Sequence, residues 1–418
     1  MQNKILAFLL IGMLLFGCTA PKSAPGTDTA SSAEAGGAKA AEPQAKTPTP
    51  APAQASAASN LNVTPNSTAN ATPNITNIAN ATNTTDATAI AEPPKAAAEN
   101  KSKIILESIK RGTVDSAFEV PIYDPEKAYT GTTFLPDNHD LSNPRIVEVN
   151  MLGEVLWEYY LPASMKQYTN PGFDAELLEN GNIFFTLPRK GVYEIDRDGN
   201  IAWSYLDTKV SHDADRLPNG NTLIAYGAYD GKADAQAKEV TPAGKVVWSY
   251  YAKDYFGNIA EYKDMNAEGW THTNAVIRLA NGNTIVSHRN FNLLAEVDSQ
   301  GNVVRTIESG EFVAQHDPAY LSNGNLLFAT HGTPQKAVEL DANNTVVWSF
   351  AVREKSAWPV RDANRLPNGN TLVTCADRIL EITPAGEIAW ELKMIGVTFA
   401  SQMDYAAKGF YKAERLGS

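Results

Sequence analysis

Five of the six histidines in this 418-residue chain sit at fixed distances from an Asn-Gly-Asn triplet that the sequence repeats five times. Seven residues before the first asparagine of each copy stand Phe173, His212, Asn274, His316 and Arg361. Eight residues after it, two copies present Arg289 and His331; His288 precedes Arg289, and His272 lies two positions before Asn274. His139 falls outside this register. A triplet that marks the same place in a repeated unit would bring these side chains to one rim of the molecule. Imidazoles and guanidiniums gathered without cysteine suit a metal site, a nucleophile with an electrophilic clamp, or an anion pocket. His212, His272 and His316 are the candidate metal ligands, but Arg289 and Arg361 set positive charge beside the cation. An anion suits every member of the set, with Asn274, His288, His331 and Arg361 as further binding groups. The aspartates that follow (Asp174, Asp213, Asp317 and Asp362) recur beside Phe173 and Arg361 as well as beside histidine, which gives them a structural role toward backbone or neighbouring-unit groups.

The unit that must position these residues ends in a tryptophan strand. MLGEVLWEY, RDGNIAWSY, PAGKVVWSY, ANNTVVWSF and PAGEIAWEL close on Trp157, Trp203, Trp248, Trp348 and Trp390, and SQGNVVRTI places Arg305 at the same point. Successive copies are 46, 45, 57, 43 and 42 residues apart, the length of a four-stranded propeller blade. Asn-Gly is a strong hairpin signal, and a type I′ turn there requires positive φ at both central residues. The reading is all-β: a six-bladed β-propeller of four-stranded blades over residues 116–418. The first unit lacks an Asn-Gly-Asn copy, and the segment from Phe410 to Leu416 is expected to supply a strand that closes the ring. The tryptophans are spacers between blades.

Ahead of the propeller, Lys4 precedes an apolar run from Ile5 to Phe16, too short to span a bilayer and suited to an export signal over residues 1–17. Leu15-Phe16-Gly17-Cys18 resembles a lipobox, which makes Cys18 the lipidated N-terminus of a membrane-anchored surface or periplasmic protein. Residues 18–115 are rich in Ala, Pro, Thr, Ser and Asn, a composition that cannot offset the entropy of ordering and reads as a disordered stalk, with a short helix expected at Ile104–Ile109. Asn62, Asn66, Asn70, Asn74, Asn80 and Asn83 each open an Asn-x-Ser/Thr triplet, a pattern that suits a glycosylated tether. A formal net charge of −12 argues against nucleic acid as a partner. With Cys18 acylated, Cys375 has no cysteine partner for a disulfide or zinc site.

SHDADRLPNGNTLI, WTHTNAV with an arginine seventeen residues after its histidine, AQHDPAYLSNGN and EVTPAGKVVWSY together resemble the arylsulfate sulfotransferase family over most of residues 130–418. The resemblance implies a six-bladed propeller that moves a sulfuryl group from a phenolic sulfate donor to a phenol acceptor with no nucleotide and no cofactor. It makes His316 the nucleophile and gives His212, His272 and Arg289 the sulfate oxygens and the charge of the breaking bond, with His212 or His272 protonating the departing phenolate. Phe173, Tyr226, Phe291 and Trp358 are candidate stacking partners for a phenol. Two other classes compete: a non-catalytic surface binding or scaffold propeller, and a quinone- or metal-dependent oxidoreductase, for which the sequence carries no cofactor-binding set.

Overall fold

The computed structural model describes residues 95–418 other than 171, 265–267, 402–403, 405–406 and 418. The export signal, Cys18 and the six stalk asparagines lie outside the described residues. A helix occupies Lys95–Ser108, and Ile109 already belongs to the hydrophobic core. The chain therefore meets the propeller several residues before position 116, through the Thr113 to Val155 bridge. Among the described residues no helix is long and apolar enough to cross a membrane.

Six antiparallel sheets form the six blades of the expected propeller. Their innermost strands are Glu414–Gly417, Asp174–Leu177, Val210–Arg216, Thr273–Arg278, His316–Tyr320 and Val360–Arg365, taken from the first blade to the sixth. The C-terminal strand Glu414–Gly417 pairs with Gly131–Asp137, so the first blade is completed by the end of the chain, as the missing triplet required. The sixth blade gains a fifth strand, Phe118–Tyr123, on its outer edge. Two segments from opposite ends of the fold thus lock the ring, and its closure leaves the inner strands only short edges that face the channel.

Apolar residues on both faces of each blade pack against the neighbouring blades. Between the fifth and sixth, Leu327, Val352, Val360, Ala363, Val373 and Cys375 form one cluster, and each fully buried aliphatic side chain contributes about 1.5–3 kcal/mol.

The Asn-Gly-Asn triplets do more than turn the chain. Asn180 and Asn182 both donate to Glu194, and the same pattern joins Asn219 and Asn221 to Glu239, Asn323 and Asn325 to Glu339, and Asn368 and Asn370 to Glu381. That glutamate then receives an arginine from the next blade: Arg216 on Glu194, Arg278 on Glu239, Arg365 on Glu339 and Arg415 on Glu381. Each arginine also lies over a tryptophan at 4.4–5.4 Å, Trp203, Trp248, Trp348 and Trp390 respectively. Arg305 is explained by this clasp. The fifth blade carries Tyr320 where the third, fourth and sixth carry arginine, and Arg305 supplies the missing cation to Glu296 at 2.5 Å from the tryptophan position.

The turn itself differs from the type I′ expectation. Positive φ falls on the glycine alone, +83° at Gly181 and +88° at Gly369, while Leu178 N–H donates to Asn182 and Gly181 N–H to Leu178. This is the three-residue hairpin loop with a left-handed glycine. It leaves Asn180 free to accept from the Asn182 N–H through its side-chain oxygen and still reach Glu194.

Candidate active site

The inner strands bring His212, His316 and Arg361 to one rim, as their common register requires. Around them the structure gathers His272, His331, Arg289 and Tyr411. The His316 and His331 rings stack at 4.3 Å between centroids, His212 and His272 at 5.7 Å. Tyr411 stands between the two pairs, 5.2 Å from His212 and edge-on to His316 at 6.5 Å, with the Arg361 guanidinium 4.9 Å above its ring. Gly172 gives Tyr411 its room, because a Cβ there would lie 2.3 Å from the ring.

Each of the four imidazoles is held by a backbone carbonyl through one nitrogen. His316 Nδ1 bonds the Ala314 carbonyl at 2.7 Å and His272 Nδ1 that of Glu268 at 3.0 Å; His212 is held by Gly172 and His331 by Val360. The tie fixes the tautomer: the bonded nitrogen carries the proton and the other presents a lone pair. For His212 that second nitrogen is Nδ1 and for His331 it is Nε2, both buried without a hydrogen-bond partner. Burial first, then the neighbouring His331, Arg289 and Arg361, hold the His316 pKa well below its usual value. Burial followed by His272, Arg361 and Arg289 does the same for His212. Burial and the two arginines take His331 down to about 3. Burial and Arg289 lower His272. All four are neutral at pH 7, and the positive charge of the site resides on Arg289, which pairs with Glu268, and on Arg361, which burial lowers only to about 10.

One residue along, the aspartates meet a partner that register alone does not reveal. Lys412 inserts its ammonium between Asp213 and Asp317, at 2.8 Å from each, and Asp174, at 3.1 Å. Asp213 and Asp362 also accept the backbone N–H groups of Val276 and Ala413, the structural role expected of them. Three carboxylates hold the Lys412 pKa well above its usual value despite burial, while burial pushes Asp174 up to about 7. Beyond Lys412 lies a cavity of about 320 Å³ lined by these aspartates with Glu176, Asp215 and Glu414; none of the histidines borders it.

His288 is not brought to the rim. Its Nε2 bonds Tyr250 Oη at 3.0 Å and its Nδ1 bonds Thr273 Oγ1 at 2.9 Å, so both nitrogens serve the core and it leaves the substrate-binding set. Asn274 lies in register, but its amide donates to the Gln315 carbonyl and so braces the strand that carries His316. His139 joins Asp137 and Arg145 elsewhere. Phe173 and Tyr226 are core residues, Phe291 packs on Tyr262 and Trp270, and Trp358 donates to Val352. The aromatic ring at the site is Tyr411, which the sequence reading missed together with Lys412. Both precede the closing strand, and a lysine entering a ring of recurrent aspartates was the available signal. Among the described residues no group of three or more His, Cys, Asp or Glu side chains is arranged to hold a metal.

No curated protein matches the chain. Solved structures similar to it include a protein of unknown function from Bacteroides caccae, at 19% identity over 63% of this chain and 94% of that one with a TM-score of 0.45. A streptogramin B lyase matches at 12% identity over 70% and 91%, with a TM-score of 0.43. A virginiamycin B lyase from Staphylococcus aureus with quinupristin matches at 12% identity over 67% and 90%, with a TM-score of 0.43. Residues 118–312, which carry the Asn-Gly-Asn and histidine motifs of the second to fourth blades up to Arg289, match the family model described as Arylsulfotransferase (ASST).

Proposed function

We propose that this chain is a surface-tethered aryl sulfotransferase that passes a sulfuryl group from a phenolic sulfate ester to a phenol through a sulfohistidine on His316. The observation that carries this reading is the environment of His316. Its Nδ1 is committed to the Ala314 carbonyl, so its Nε2 holds a lone pair, and burial keeps the ring neutral and nucleophilic. Arg289 and Arg361 supply the donors that a sulfuryl oxyanion needs, in a site where low dielectric strengthens each contact. His212 and His272 flank the oxyanion. Tyr411, stacked on His212 and under the Arg361 guanidinium, braces these two groups beside the oxyanion. The nucleophile is neutral without metal or nucleotide, and two half-reactions at one nitrogen give ping-pong kinetics.

Tethering through an acylated Cys18 and glycosylation of the stalk rest on sequence pattern. They would hold the propeller outside the cell, within reach of extracellular phenols. The test is nitrophenolate release from 4-nitrophenyl sulfate by the full chain with phenol as acceptor. The expected result is turnover abolished in His316→Ala, together with a sulfuryl adduct in the intact mass of the parent protein that the variant lacks. Turnover unchanged in His316→Ala would refute the assignment, and the site would then be read as the anion-binding centre of a non-catalytic propeller.

A further inference from the structure

The sulfotransferase reading leaves one nitrogen of the site without a task. His331 follows the second strand of the fifth blade, Leu326–Thr330. Its backbone N–H donates to Val313 and its ring is held by Val360. The remaining nitrogen, Nε2, is enclosed and has no hydrogen-bond partner. Of the imidazoles at the rim, His331 is the one in face-to-face contact with the nucleophile, at 4.3 Å and 21° between planes. His212 is instead stacked between His272 and Tyr411. A buried lone pair beside a nucleophile is the arrangement of a base.

We propose, on the basis of the sulfotransferase reading, that His331 is the general base that takes the proton of the acceptor phenol as that phenol attacks the sulfuryl group on His316. In this step the phenol O–H bond breaks and its proton passes to His331 Nε2. The new O–S bond forms as the N–S bond breaks, and the electron pair of that bond returns to His316. In the donor step the N–S bond forms and the donor's O–S bond breaks, its electron pair leaving on the phenolate, which takes its proton from solvent; the proton that His331 gains in the acceptor step passes to solvent and restores the unprotonated resting ring. Over a full cycle both rings end neutral, and one sulfuryl group has been exchanged for one phenolic proton.

The groups around His331 agree with this role. His316 faces it from the fifth blade's inner strand, Arg361 acts on it from the sixth blade and Arg289 from the fourth. Glu311 and Lys336, on the flanking segments, pair with one another. Burial and the two arginines keep the resting ring unprotonated. The resting ring is a weak base, and the phenol oxygen becomes strongly acidic as it bonds to sulfur, so the proton passes to His331 Nε2 while the O–S bond forms.

The experiment separates the half-reactions in the full chain by rapid mixing and intact-mass detection. 4-Nitrophenyl sulfate loads the adduct, with a leaving group that needs no proton, and phenols of graded acidity discharge it. In His331→Gln, adduct formation is expected within about threefold of the parent protein, while discharge to phenol falls by about 10²–10⁴ and depends more steeply on acceptor acidity. Discharge at the parental rate overturns the proposal. An equal fall in both half-reactions with an unchanged acidity dependence does so too, because it marks a structural role. Absence of any adduct in the parent protein removes the sulfotransferase reading itself, and this inference with it. Should His331→Gln fail to fold, the parent protein decides. Discharge to phenol that slows about twofold or more in heavy water, with adduct formation unslowed, supports the base, and equal rates in the two solvents refute it.

Discussion

Replacing Lys412 with methionine removes the charge at the centre of the ring while keeping most of the side-chain volume. The ammonium lies 2.8 Å from Asp213, 2.8 Å from Asp317 and 3.1 Å from Asp174, with its side chain 12% exposed. Loss of one partner from a buried ion pair costs about 3–5 kcal/mol, because the remaining charge is left uncompensated. The chain's escape is to protonate a carboxylate. Asp174 is already raised to about 7 and neutralises at little cost near neutral pH. Forcing a proton onto a second aspartate, reckoned from the unfolded chain's pKa of about 3.9, costs about 4 kcal/mol at pH 7 and about 1.5 kcal/mol at pH 5. Lys412→Met is therefore expected to lose about 4 kcal/mol at pH 7 and less than half of that at pH 5. Denaturant unfolding followed by tryptophan fluorescence at the two pH values measures both. A penalty below about 1 kcal/mol at pH 7, or one equal at both values, would refute the view that Lys412 holds an acidic ring together. Tyr411 is the adjacent residue, so activity is expected to fall in the same variant by more than stability alone accounts for.

The buried histidines give the fold a pH dependence of definite sign. His212 and His316 are held well below their usual pKa and His331 at about 3, while the unfolded chain titrates near 6.5. Between those values the unfolded state binds more protons, so their contribution to stability is complete above about pH 6.5 and is lost as pH falls toward 3. Asp174, raised to about 7, acts in the opposite sense, so the comparison is between variants. His331→Gln is expected to flatten the stability profile between pH 6 and 4 by about 1.4 kcal/mol per pH unit, and an unchanged slope in denaturant unfolding would count against a neutral buried imidazole. At the other end of the chain, Cys18→Ser is expected to abolish acyl labelling and release the protein from the membrane fraction. Retention of the label would show that Cys18 is not the anchor.

The repeat made the inner-strand register legible because the Asn-Gly-Asn turn and the glutamate it grips recur with the blade. Counting from the turn was enough to set His212, His316 and Arg361 on one rim. The same ruler failed in two ways, both physical. Side chains alternate across a strand with a period of two, so Arg289 reaches the rim while His288, its immediate neighbour and the last residue of its strand, turns into the core toward Tyr250. The closing strand, moreover, has no turn motif of its own, because it completes a blade whose other strands begin some 280 residues earlier, as the Arg415 to Thr133 bond records. Nothing local assigns Tyr411 and Lys412 a register; they acquire one when Glu414–Gly417 docks beside Gly131–Asp137. The segment that seals the ring therefore also furnishes the ring that His212 and Arg361 stack on and the cation that the aspartates require. Closure of the propeller and completion of the site rest on the same segment.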